Sequence, residues 1–312
     1  MKSLFCLLTG ITALGIGYRV AALPKVADAA PIALAYQMTP GQPQRYMLNA
    51  EIKASVPIFG SITPTNLEAG IELTYVARPK TQLADGISDV DLVVEKASLA
   101  IGMPGSKPED RLPFPLELDQ IQEVLNQQLT ITRLGQVKQV KGGAELPFGV
   151  SIPGVDPKRL YALLFPVVFK AQPVKPGDKW NFTSELLAAK GAKPSFTATI
   201  LPPDEKAATV KIRETFDLNV DQTVDSNRKP LTTGKPAYRR TQGKIQGVGA
   251  LTFDPAIGLF TRSVVDIKAN ISDTLVGAAM TKDDPKQILS TVDAKVTVEL
   301  QTEKKSESTA RN

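Results

Sequence analysis

Alternation with a period of two runs through most of this chain. Residues 46–54 set Tyr46, Leu48, Ala50, Ile52 and Ala54 on one face, with Met47, Asn49, Glu51 and Lys53 on the other. Residues 67–77 repeat the pattern with Leu67, Ala69, Ile71, Leu73, Tyr75 and Ala77. Residues 208–220 oppose Val210, Ile212, Phe216, Leu218 and Val220 to Lys211, Arg213, Asp217 and Asn219. In 292–300, Val292, Ala294, Val296, Val298 and Leu300 alternate with Asp293, Lys295, Thr297 and Glu299. Strands with one dry and one wet face belong to antiparallel sheets packed on one side. Further strands are predicted near 88–101, 129–133, 136–141, 179–187, 194–201, 244–253 and 259–271. The 24 prolines and 22 glycines are spread along the chain, as a turn-rich β protein requires.

Helical signals are few and short. Val155-Asp156-Pro157 offers a capping Asp with Pro at the first helical position, ahead of Leu160, Leu163, Leu164 and Val167; Pro166 ends the helix early. Residues 119–128 pair Asp119 with Gln122 in a capping-box arrangement, with Ile121, Val124 and Leu125 as the apolar stripe. Asp284-Pro285 opens a third, marginal helix carrying Ile288 and Leu289. Residues 221–244 are polar and interrupted by Pro and Gly, which predicts a long loop.

Two turn-and-strand motifs recur. PGQPQRYMLN (40–49) is similar to PGDKWNF (176–182), and LTITRLGQVKQV (129–140) is similar to LTFDPAIGLFTRSV (251–264). Asp254-Pro255 and Gly258 suit a type I hairpin turn with a left-handed exit residue. Hairpins draw on few turn types, so the same likeness also arises without duplication. The resulting expectation is a mainly β fold: curved antiparallel sheet from two β-rich halves, 30–141 and 177–300, with two or three short helices. Residues 142–176 form the connector, and Trp180, the chain's only tryptophan, anchors the start of the second half. The tail 301–312 is expected to be disordered.

The N-terminus has the layout of an export signal over residues 1–29. Lys2 precedes the uncharged apolar run LFCLLTGITALGIG (4–17), and Ala27-Asp28-Ala29 offers a cleavage site. An uncleaved anchor is the alternative, because Arg19 and Lys25 delay that site. Cys6 is the sole cysteine and lies inside this run, so the mature chain is expected to lack thiol chemistry. The expected location is the periplasm or the outside of the cell. Formal charge is +5; the first 29 residues carry three cations and one anion, which leaves +3. So slight an excess, with no dense basic run, argues against a nucleic-acid partner.

The inventory for chemistry is thin. There is no histidine, which removes imidazole acid–base work, His-bearing triads and His-bearing zinc sites. Ser226-Asn227-Arg228-Lys229 matches a bare S-x-x-K pattern but sits in the polar loop and lacks the companion motifs of serine acyl-enzymes. Asp85, Asp89 and Asp91 are read as a turn and the wet face of a strand rather than a cation site. Gly247-Val248-Gly249 inside a strand pattern indicates a bulge or a close backbone approach. Lys235, Tyr238, Arg239 and Arg240 form a small basic patch suited to an anionic head group or phosphate. No metal site, cofactor or catalytic residue is expected.

PVKPGDKW (Pro173–Trp180) and the late hairpin over Gly247–Gly258, with the PGQPQRYMLN start, resemble uncharacterised exported bacterial β-rich proteins of unknown function. The strand-rich layout with helices tucked in also resembles the lipoprotein-carrier fold, in which a curved sheet wraps acyl chains. That resemblance implies an apolar ligand, with Leu163, Leu164, Val167, Phe169 and Trp180 as candidate lining. The leading expectation is a non-enzymatic cell-envelope protein that binds a lipid or an envelope protein. It would touch the membrane only through an uncleaved signal. The alternatives are a carboxylate-dependent hydrolase of envelope polymers and a structural interaction module.

Overall fold

A computed structural model describes residues 30–57, 63–83, 85–115, 117–143, 157–184, 194–203, 208–224, 239–275 and 287–301. The export signal, Ser226 and the tail beyond Gln301 lie outside the described residues.

The alternating segments form one curved, open, antiparallel sheet of twelve strands. These are β1 (Gln44–Pro57), β2 (Pro64–Gln82), β3 (Ile87–Gly102), β4 (Leu112–Phe114), β5 (Gln127–Thr132), β6 (Val137–Gly142), β7 (Lys179–Thr183), β8 (Ser195–Ile200), β9 (Val210–Val224), β10 (Arg239–Asp254), β11 (Leu259–Leu275) and β12 (Gln287–Gln301). Their spatial order is β6-β5-β3-β2-β1-β12-β11-β10-β9-β8-β7, with β4 pairing β3 off this path. The chain therefore starts in the middle of the sheet, meanders to one edge, crosses to the other and meanders back. β1 and β12 close the circuit side by side, from Arg45 opposite Gln301 to Ser55 opposite Thr291.

Register puts the apolar phases on one face. One row crosses the sheet through Ile71, Ala50, Val296, Val265, Gly249, Glu214, Ala198 and Trp180. Val292, Val296 and Val298 are buried, as their phase requires. The opposite face carries cross-strand ion pairs, among them Arg262 with Glu299 at 3.0 Å and Lys244 with Asp217 at 2.7 Å.

The crossover between the two edges closes one end of the sheet. Tyr36, Phe165, Phe169, Phe253 and Phe260 stack there, with Phe169 and Phe253 centroids 4.9 Å apart and Phe253 and Phe260 5.1 Å apart. The strand-like segment 32–38 threads between two hairpin turns: Tyr36 N–H donates to Arg133 O, and Gln37 N–H to Gly258 O. Gly135 and Gly258 at those turns have φ of 89° and 66°. A β-carbon at Gly135 would also strike the Tyr36 ring, and one at Gly258 the Gln37 side chain. Asp254 Oδ1 accepts from Ala256 N–H, and Gly258 N–H closes back to Asp254 O, so the expected turn with a left-handed exit is present. In PVKPGDKW, Asp178 Oδ2 accepts from Lys175 N–H and Gly177 N–H donates to Ile200 O. That turn delivers Trp180 into the core, where its Nε1–H donates to Val168 O at 2.8 Å.

The helical expectations need correction. The first helix is α1 (Leu118–Leu125), with Glu117 rather than Asp119 at the capping position and no side-chain cap. Gln122 is occupied elsewhere: its amide donates to Val94 O while Asn126 Oδ1 accepts from Val94 N–H. The β3–β5 ladder stops at Leu92, so α1 completes the hydrogen bonding that the ladder leaves open. The 157–163 segment is a 3₁₀ helix, with Leu164 N–H bonded to Tyr161 O. No third helix holds Ile288 and Leu289. They begin β12, Ile288 buried against the core and Leu289 outward and exposed, because the strand period separates neighbours that a helix would group. The predicted loop at 221–244 is shorter too: β9 continues to Val224 and β10 starts at Arg239. Gln301 is the last residue of β12 rather than the first of a tail.

Candidate ligand site on the inner face

The inner face changes character along the strands. At the closed end it is filled. Leu163, Leu164, Val167, Phe169 and Trp180 all lie there, all buried in the one core cluster. Val167 also accepts the Tyr36 hydroxyl at 3.0 Å. Away from that end the two sides of the sheet differ: Leu218, Val220, Ile271 and Ile288 on β9, β11 and β12 stay buried, and cover thins on β1–β3. Ala50, Ala294 and Ala269 line the central strands, and Ile52, Ala54, Val56, Ile71, Ala97 and Ile267 are only partly buried.

β10 leaves three inward positions of this face without a side chain, between Thr241, Ile245, Leu251 and Phe253. Gly243, Gly247 and Gly249 fall in its inward phase with Ile245 and Leu251. A β-carbon at Gly247 would meet the Phe216 ring at 2.1 Å, and one at Gly249 would meet Glu214 Oε2 at 3.0 Å. Of the two readings for these glycines, close approach is the one observed; the register shift in β10 lies further on, between Thr252 and Phe253.

Two buried polar side chains stand out on this apolar face. Glu214, on β9, is 3% exposed, and burial alone pushes its carboxyl up to about 8. Ser263, on β11, is 2% exposed and its Oγ has no hydrogen-bond partner. Neither was singled out from the sequence, although a signal exists. Each stands in phase with the apolar residues of its strand, Glu214 between Ile212 and Phe216 and Ser263 ahead of Val265 and Ile267. The buried pair Thr241 and Asp273 lies on the same face, with the Thr241 hydroxyl donating to the Asp273 carboxylate.

The outer face handles charge differently. Arg111 reaches over β1 and β2, donating to Glu51 at 2.6 Å and to Glu68 at 3.5 Å. Gly105 N–H and Lys53 also reach Glu68, and the Gly105 bond foremost holds its carboxyl below the usual range. A cleft of about 440 Å³ beside this cluster is lined by Lys53, Glu68, Lys268 and Asp293.

The remaining candidates do not gather into a site. In the basic patch, Arg240 forms a two-pronged pair with Asp221, at 3.0 and 2.9 Å; Lys235, Tyr238 and the Arg239 side chain lie outside the described residues. Asp85 Oδ1 accepts from Ile87 N–H in a local turn, Asp89 accepts from Thr81 and Thr130, and Asp91 pairs with Lys80. Among the described residues no acidic cluster has the makings of a metal site.

No family model matches this sequence, and no curated protein does. The resemblance to exported bacterial β-rich proteins therefore stands on the quoted motifs alone. Among solved structures, a lipovitellin entitled for its lipid–protein interactions aligns with 85% of this chain at 11% identity and a TM-score of 0.48. This chain spans about a quarter of that one, 26%. DynF of the dynemicin pathway of Micromonospora chersina aligns at 9% identity and a TM-score of 0.18, over 92% of each chain. A BenF-like porin of Pseudomonas fluorescens Pf-5 aligns at 6% identity and a TM-score of 0.19, covering 84% of this chain and all of the porin, 100%. The functional reading rests on this chain's own geometry.

Proposed function

We propose that this protein is a non-enzymatic, exported cell-envelope protein that holds a lipid or similar apolar ligand on the inner face of its sheet. The observation that carries the reading is the change along that face. It is packed shut by aromatics at one end, and on β1 it runs past the buried Ala50 to the partly covered Ile52, Ala54 and Val56, with Ile267 partly covered on β11. A sheet that needed only a core would bury those positions, whereas concave apolar surface with a few convergent polar groups is the usual make-up of a ligand site. Export is supported by the N-terminal layout of Lys2, the 4–17 apolar run and Ala27-Asp28-Ala29. The hydrolase alternative needs two converging acids. Glu51 and Glu68 do converge, but on the outer face with Arg111 between them, which leaves neither free to move a proton.

The test is native purification of the mature protein, solvent extraction and mass spectrometry, followed by titration of the delipidated protein with vesicles of phosphatidylethanolamine and phosphatidylglycerol. Co-purifying lipid and uptake from the vesicles are expected. A protein that emerges empty and takes up nothing would remove the reading.

A further inference from the structure

A cleft of about 690 Å³ opens at the closed end of the sheet, between the β2–β3 turn, the 32–38 segment and the β5–β6 turn. Small-molecule sites commonly measure about 300–1,000 Å³. Among the described residues, its charged lining is Arg133 and Asp85 alone. Two turn glycines seat its polar side chains. A β-carbon at Gly86, whose φ is 76°, would meet the Arg133 stem at 3.1 Å, and Gly258 leaves the same kind of room for the stem of Gln37. The Arg133 guanidinium is thereby held beside the turn that carries Asp85, yet it has no ion-pair or hydrogen-bond partner among the described residues. Asp85 Oδ1 accepts from Ile87 N–H, which leaves Oδ2 open in the same sense. The side-chain amides of Gln37 and Gln82 in the lining are also without partners there. Leu83, 56% exposed, supplies an apolar wall next to the Tyr36 ring.

We infer that this cleft binds a small zwitterion with an apolar side group, the chemistry of a free amino acid such as leucine. Its carboxylate lies on Arg133, its ammonium on Asp85 and its side chain against Leu83. The cleft is a second site, and the inference does not rest on the apolar-ligand reading of the inner face. The charges decide the class of guest. A simple anion on Arg133 would sit beside the Asp85 carboxylate, and a simple cation on Asp85 beside the guanidinium, so each would be opposed by the second group. A guest that carries both signs is matched by both. The guanidinium suits a carboxylate because its forked N–H groups pair with both oxygens. The ammonium offers donors to Asp85 Oδ2 and to the amide oxygens of Gln37 and Gln82. The stems of Arg133 and Gln37 are already seated over glycines, so less side-chain freedom is lost on binding.

Backbone amides at the cleft make the test direct. Ile87 N–H donates to Asp85 and Tyr36 N–H to Arg133 O, so both signals report on the two charged residues. L-leucine, isocaproate and isoamylamine are titrated into the ¹⁵N-labelled mature protein while these amides are followed by NMR. Isocaproate lacks the ammonium and isoamylamine the carboxylate, and both keep the apolar group. Leucine is expected to shift both amides and to bind about tenfold more tightly than either analogue, the value of one further charge-assisted contact. Arg133→Met keeps a stem over Gly86 and should bring leucine down to the affinity of isoamylamine. Asp85→Asn keeps an acceptor for Ile87 N–H and should bring it down to that of isocaproate. Retained urea midpoints establish that the variants fold. Leucine binding no tighter than either analogue, a full preference for leucine that survives either substitution, or no shift of the Ile87 and Tyr36 amides would overturn the assignment.

Discussion

Glu68 and Glu214 are the same residue type on the same sheet, and both are nearly hidden, at 7% and 3% exposure. Their surroundings push them in opposite directions. Glu68, on the outer face, receives Gly105 N–H, Arg111 and Lys53, and its carboxyl is held ionised below the usual range. Glu214, on the inner face, is raised to about 8 by burial. Low exposure alone therefore says little about a carboxylate. What decides its state is whether the face supplies donors. The outer face is a network of ions that fastens the 103–111 loop across β1 and β2. The inner face is apolar ground where one acid is left neutral.

The largest effect expected from this contrast is on stability against pH. The folded value for Glu214 lies above its unfolded value of 4.5, so the folded state holds the proton that the unfolded state releases. Its contribution to stability should then be full below pH 4.5, fall as pH rises from there to about 8, and level off above. The total is on the order of 5 kcal/mol at most. Urea unfolding at successive pH values checks this, with Glu214→Gln expected to flatten the decline. Glu68 carries the opposite sign: its contribution is present above the unfolded carboxylate value and fades as pH falls through its lowered one.

Next in size is Arg111→Met, which strips Glu51 and Glu68 of their guanidinium. Stability at neutral pH should drop and the 103–111 loop should exchange its amide protons faster, whereas Glu214→Leu should raise stability at the same pH. Gly249→Ala comes third. Its new methyl meets Glu214 Oε2 at 3.0 Å and Cβ at 3.2 Å, for a loss of about 1–3 kcal/mol. In a Glu214→Ala background that loss should shrink, and a double-mutant cycle of urea midpoints measures the difference. The smallest effect is Arg240→Gln, which removes an exposed pair with Asp221 and should leave the urea midpoint unchanged.

The strands were legible because a period of two is visible without context, and Val292 to Val298 or Leu48 to Ala54 have no other economical reading. Less legible were features that depend on what stands next to them. Gln122 is drawn from a capping role by the open backbone of Val94 beyond the end of the β3–β5 ladder. Ile288 and Leu289 follow the pull of β11 rather than that of Asp284-Pro285. The alternation that revealed β9 also contained Glu214, but its in-phase position reads as noise until the neighbouring strands prove to offer Gly249 and Ala198 instead of a cation. Leu163, Leu164, Val167, Phe169 and Trp180 were recognisable as inward apolar residues. That they sit at the plugged end rather than along the open stretch needs the crossover's path.

Carbon-detected NMR of the mature protein with ¹³C-labelled glutamate side chains puts the two faces in one titration. Glu214 should change its carboxyl shift with a midpoint near 8, and Glu68 should do so below the ordinary carboxylate range. A Glu214 midpoint close to 4.5 would mean that water or a cation reaches it, and the apolar inner face described here would be contradicted.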